Sequence, residues 1–162
     1  MSSLQDIYIK LDGIDGESKD SKHKDWIDAV SISLGASQSS SVFTGGGAGV
    51  GKANFDSLSF THLIDKSSPN LFMYCAGGKH IKEVIVSCCK VGDGSQEYMR
   101  VTMNDVIITD LAITNENVEF LPKETVSMTY SRIRIEVKEQ KADGSMSATV
   151  TGAWDVKENK KA

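Results

Sequence analysis

The chain has 162 residues, 40% of them hydrophobic and 25% charged, with a formal net charge of -4. This length suits one domain over residues 1–162 with a core of its own, and the two prolines argue against extended disorder. The acidic balance offers no cationic field to a phosphate backbone or an anionic bilayer. No stretch approaches the roughly 18 apolar residues of a membrane span, so neither nucleic acid nor a membrane is an expected partner.

The opening residues, MSSLQDIYIKLDGIDGE, have neither the basic start nor the apolar run of a signal peptide, so folding in the cytoplasm is expected. Short runs in which β-branched and aromatic residues alternate with polar ones predict strands over 6–11, 26–34, 54–61, 81–91, 96–103, 106–113, 124–139 and 147–156. In the second run Trp26, Val30, Ile32 and Leu34 form the apolar set and Ser31 and Ser33 the polar face.

Between the second and third runs lies a serine- and glycine-rich segment, 37–52, expected to be a long extended loop. Its Gly46 to Lys52 has the GxxxxGK spacing of a phosphate-cradling loop, but Ala53 stands where a magnesium-binding hydroxyl belongs and a strand pattern follows instead of a helix. Nucleotide binding is therefore not expected. One helix is predicted over 65–77, with Ser68 as cap, Pro69 in the first turn and Gly77 at the end.

In 124–139 the apolar residues run Val126, Met128, Tyr130 and then Ile133, Ile135, Val137. This flip of parity predicts a bulge or bend near Ser131 and Arg132. Gly92-Asp93-Gly94 and Asp143-Gly144 supply hairpin turns. Together these elements predict an all-β-dominated fold, a small β-barrel of two sheets with one short flanking helix and the long Gly-rich loop.

The residues that could carry chemistry do not assemble by spacing. Cys75, Cys88 and Cys89 are odd in number, with two adjacent, which is no disulfide framework; they are expected to be reduced packing residues, one of the adjacent pair facing inward and one outward. His23, His62 and His80 form no metal-binding pair, and Asp12, Asp15 and Glu17 lack the calcium-loop spacing, so a solvated turn is expected there. Trp26 and Trp154 fall on core parity, and Lys157, Lys160 and Lys161 read as a solvated tail. No catalytic, metal or cofactor-binding residue is assigned.

Five collinear strings remain: IKLDGIDGESKDSKH over 9–23, FTHLIDKSSPNL over 60–71, GGKHI over 77–81, KADG over 141–144 and GAWD over 152–155. Together they resemble the Hcp family, the tube subunits of bacterial type VI secretion. The resemblance implies a β-barrel subunit that assembles into stacked homohexameric rings, without catalysis. It further implies export with a spike protein through a contractile sheath and baseplate, without a cleaved signal, and carriage of small effector proteins in the ring lumen.

On that resemblance Ser31 and Ser33 are candidates for the lumen and cargo face, and Gly45, Gly46, Gly47, Gly49 and Gly51 for an inter-ring loop. The competing expectation is a monomeric β-barrel binding module or hydrolase, with the glycine loop as a lid and Cys88, Cys89 or His62 in its site.

Overall fold

A computed structural model describes residues 4–39, 51–92 and 94–162. Strand β1, Gln5–Leu11, buries Ile7, Ile9 and Leu11 on one face and turns Tyr8 to the other, as period-two alternation requires. β2 is Ile27–Ser33, and a short ribbon, β3 (Ala36–Ser37) with β4 (Asn54–Phe55), precedes β5, Leu58–Leu63. The helix α1, Ser68–Gly77, leads into β6 (Ile81–Lys90) and the long β7 (Gln96–Thr114). β8 (Lys123–Thr129), β9 (Arg132–Val137), β10 (Val150–Asp155) and β11 (Lys160–Lys161) complete the chain.

Nine strands form one sheet in the order β11-β10-β9-β7-β6-β1-β2-β5-β8, and a further β7–β8 pairing closes six of them into a barrel. Closure removes the free edges of those six strands, which would otherwise invite uncontrolled pairing, and leaves an edge only on β11 of this sheet. The interior is packed with Ile9, Leu58, Phe60, Met103, Ile108, Val126 and Met128, all essentially inaccessible to water. Each such side chain contributes roughly 1.5–3 kcal/mol on leaving water.

Because the barrel strands alternate in direction, the connections after β1, β5 and β7 meet at one end. There Ile64 N–H donates to Pro122 O (3.0 Å) and Lys66 N–H to Glu17 Oε2 (2.6 Å). The connections after β2, which carries the Gly-rich segment, and after β6 lie at the other end.

The parity flip near Ser131 takes the form of a break at Tyr130 and Ser131 between β8 and β9. Both strands pair along one edge of β7, β8 with Ile107–Thr114 and β9 with Met99–Asn104. Ser131 N–H donates to Asn104 O (3.1 Å), and Asp105 opposite takes φ 53. The two sequence runs 96–103 and 106–113 are thus one strand bent at Asp105. Beyond the break β9 pairs with β10 instead of β5, so β9, β10 and β11 leave the barrel wall as a flap.

Several expectations are corrected. Val30 is 56% exposed and not core, because a bulge between Ala29 and Ser31 re-aims it while Ile27 enters the core. Around α1, Ser67 occupies the N-cap position without a side-chain cap bond. Ser68 Oγ accepts from Asp65 N–H (3.2 Å), and Asp65 Oδ1 accepts from Ser67 N–H (2.8 Å).

The helix ends on Gly78 at φ 61 rather than on Gly77. Gly78 N–H bonds Cys75 O and Lys79 N–H bonds Tyr74 O, a paired closure that needs a left-handed residue at that point. Lys160 and Lys161 are strand residues paired with Asp155 and Trp154, not a solvated tail. Cys88 and Cys89 are both buried, since the register shifts between them and the outward face at that point is roofed over.

Candidate functional site

The middle of the outward face of β2, β5 and β8 is built from short hydroxyl side chains, with exposed Asp28 and Val30 on β2 and the exposed Leu63–Lys123 pair at its margins. Ser31 stands opposite Thr61 and Ser33 opposite Ser59; these in turn face Thr125 and Ser127 on β8. Ser59 and Ser127 share a hydrogen bond of 2.7 Å, Thr61 and Thr125 one of 3.0 Å, and Thr109 Oγ1 donates to Ser127 O at 3.3 Å. Ser31 and Ser33 are exposed at the edge of this ladder, on the outside of the closed barrel, as their parity predicts. Hydroxyls that satisfy one another across strands leave a patch of short, neutral side chains with little to grip.

Beneath that wall, on the inside of the barrel, sits a charged cluster. His62 and Glu124 are fully buried cross-strand partners with Nε2 2.6 Å from Oε1, and Asp65 Oδ2 lies 3.7 Å from His62 Nδ1. Burial alone would push the His62 pKa down, but Asp65 and Glu124 outweigh it and hold the pKa above the ordinary value. For Asp65, burial is outweighed in turn by His62 and by bonds from Ser67, which lower its pKa. The sequence carries a faint signal of this cluster, because His62 shares parity with Leu58 and Phe60, and Glu124 with Val126 and Met128.

A second polar cluster lies outside β1 and β6. The connection after β1 folds back over them, with Gly16 N–H donating to Asp25 O (2.7 Å), so close an approach that a Cβ on Gly16 would stand 2.5 Å from Trp26 O. His23 stacks on Tyr8 with centroids 4.2 Å apart, and Trp26 meets it edge-on. His23 Nδ1 is 2.6 Å from Asp20 Oδ2 and Nε2 is 3.1 Å from Ser87 Oγ. No spacing in the sequence announces this set, since the fold joins residues 64 positions apart.

The connectivity is that of an acyl-transfer triad, but the polarity is not. The Ser87 hydroxyl gives its hydrogen to Glu97 Oε2, so its oxygen is an acceptor toward His23 and not a nucleophile primed by it. Ser87 is also fully buried. The thiols are no better placed: burial pushes Cys88 up to about 11, with the neighbouring Cys89 adding to it, and burial also raises Cys89. His62 is sealed among its carboxylates.

Of the glycines proposed for contact between rings, Gly45, Gly46, Gly47 and Gly49 lie outside the described residues. Gly51 faces Gln38 and Ser39 at the base of the loop. Residues 51–53 lead directly into β4 and not into a helix, which removes the dipole that phosphate binding there would need. Among the described residues no group of three or more His, Cys, Asp or Glu side chains is arranged to hold a metal ion.

Among the described residues, then, neither polar cluster presents a nucleophile primed by a base. The family profile described as "Type VI secretion system effector, Hcp" matches residues 8–137. The protein Hcp1 of Pseudomonas aeruginosa is 37% identical over 156 residues, covering 95% of this chain and 96% of that one. The crystal structure of Hcp1 from Salmonella typhimurium matches with a TM-score of 0.81 at 36% identity, over 99% of this chain and 100% of that one. A structure titled as a type six secretion system protein superposes with a TM-score of 0.90 at 26% identity, over 97% of this chain and 99% of that one. The chain belongs to the Hcp family, whose members are structural, secreted tube proteins of type VI secretion and not enzymes.

Proposed function

We propose that this chain forms homohexameric rings that stack head to tail into the inner tube of a type VI secretion machine, with the β2–β5–β8 wall turned to the lumen. The supporting observation is the hydroxyl ladder: Ser31, Ser33, Ser59, Thr61, Thr125 and Ser127 meet across three strands of the outer barrel face, and a patch of short neutral side chains suits passage of folded protein without adhesion. Ser31 and Ser33 then meet small effector proteins carried through the channel. The chain folds in the cytoplasm and leaves, without a cleaved signal, together with a spike protein, driven by a contractile sheath seated on a baseplate. Gly45 to Gly51 seats against the neighbouring ring.

Light scattering coupled to size exclusion, with electron microscopy of the peak, tests the assembly. Rings are expected, with tubes at high concentration; a monomer at every concentration contradicts the reading. Deleting residues 45–51 is expected to leave rings intact and shorten tubes, and unchanged tube length removes the loop from the contact between rings.

A further inference from the structure

We infer that Asp6, Asp28 and the Tyr8 hydroxyl form an acidic notch at the margin of the hydroxyl ladder that takes a lysine or arginine side chain of a carried protein. The inference rests on the tube reading above and adds to it the chemistry of the segment that the channel wall recognises.

The three side chains meet where β1 pairs with β2. Asp28 stands directly opposite Tyr8, and Asp6 lies one alternation before Tyr8 on the same outward face of β1. Tyr8 is 6% exposed and walled by the stacked His23, yet its hydroxyl makes no hydrogen bond among the described residues. Asp28 is exposed and Asp6 half-buried. Neither carboxylate enters an ion pair among the described residues, whereas Asp20 nearby is held by His23. Two lysines of this region are directed elsewhere: Lys10 leans over Trp26 at 6.0 Å, and Lys22 Nζ donates to Gly94 O at 2.9 Å.

The negative charge gathered here is uncompensated. Burial, and after it Asp6, Asp20 and Asp28, push the Tyr8 pKa up to about 12. Burial, and after it Asp6 and Asp65, hold Asp28 above the ordinary carboxylate value, against a bond from Ser18 that lowers it. Carboxylates that disfavour one another's charge are relieved together by one cation between them. Among the described residues no three such side chains are arranged to hold a metal ion. Spread carboxylates beside a phenol oxygen suit instead an ammonium or guanidinium, which carries several donors at once.

The notch is continuous with the ladder along β2. Between Asp28 and Ser31 the bulge leaves Val30 56% exposed, an apolar contact for the methylene stem of a lysine. A side chain anchored at Asp28 brings its own backbone beside Ser31 and Ser33. A free small amine would reach the carboxylates and gain neither of these contacts. Repeated in every subunit of a ring, the notch gives a channel that favours basic segments and repels acidic ones.

The test titrates fluorescein-labelled tetralysine, and the same peptide acetylated at every Nζ, into assembled full-length protein by fluorescence anisotropy. Tetralysine should bind, less tightly as salt is added, and the acetylated peptide about tenfold more weakly. Asp28→Asn should weaken tetralysine about tenfold and Tyr8→Phe about threefold; both keep the side-chain shape, so the fold is spared. Glu116→Gln with Glu119→Gln removes charge from the exposed β7–β8 turn and should leave the affinity unchanged. Equal weakening by that pair makes the binding a matter of net charge and overturns the inference. So do undiminished affinity in Asp28→Asn, tight binding of the acetylated peptide, or competition by n-butylammonium at concentrations equal to the peptide's. Rings that ignore tetralysine also overturn it while leaving the tube reading in place. Absence of rings from the unmodified protein removes the tube reading itself.

Discussion

Two histidines hold the two halves of this barrel from opposite sides of the sheet. His23 anchors β1 and β6 from outside, pinned between Asp20 and Ser87 under a folded-back connection and stacked on Tyr8. His62 anchors β5 and β8 from inside, clamped between Glu124 and Asp65. Where the outer surface is roofed, the polar anchor is part of the roof. Where it carries no roof among the described residues, the anchor lies in the core, so the strands that present the hydroxyl ladder are fixed from within. Among the described residues one outer face is thus left uncovered while an ion pair is buried beneath it, an arrangement weakly justified by stability alone.

The inner anchor gives the largest expected effect. Glu124→Ala leaves the imidazolium buried against Asp65 alone and should cost about 3–5 kcal/mol, measured as the shift in urea midpoint at constant slope. A loss within the surface range would show that the clamp does not hold the seam. His23→Ala removes the stack on Tyr8 and leaves Asp20 without its partner. It should cost about 2–4 kcal/mol and make Cys89 reactive to thiol reagents as the roof lifts.

The pH dependence separates the two anchors further. The His62 pKa is raised in the fold, so its contribution is complete below the ordinary histidine value and fades as pH rises through the raised one. Asp65 is lowered, so its contribution is complete above its ordinary value of about 4 and is lost on acidification through the lowered one. Stability should therefore plateau in mildly acidic solution and decline on the alkaline side. His62→Gln should abolish that alkaline decline in a melting-temperature series, and a decline of unchanged size would assign it elsewhere.

The smallest effect belongs to the wall itself. Thr61→Val with Thr125→Val replaces both partners of one rung and should change stability by less than about 0.5 kcal/mol, because the half-exposed hydroxyls lose only each other. A large loss would mean that the ladder is a structural seam, and would weaken its reading as a free surface.

Local pattern carried most of the barrel. Alternation located the strands, and the shift from Val126, Met128, Tyr130 to Ile133, Ile135, Val137 located the break from which the flap departs. Parity also placed Ser31 and Ser33 on the outside correctly. Val30 was misplaced because a bulge adds a residue that alternation cannot anticipate, and Cys89 because its cover comes from a segment about 65 residues earlier. The His23 cluster was illegible for the same reason: Asp20, His23, Ser87 and Glu97 meet only once β1 and β6 are paired and roofed. Lys160 and Lys161 look like a charged tail until Trp154 and Asp155 offer them an edge.

The central claim, that the face held from within is the face left free for passage, is tested most directly by a cryo-electron-microscopy map of the assembled ring. Ser31, Ser33, Thr61 and Thr125 should line the central channel, with the His23 roof away from it. A ring in which the hydroxyl wall is buried against a neighbour, or faces the outer circumference, would contradict the account.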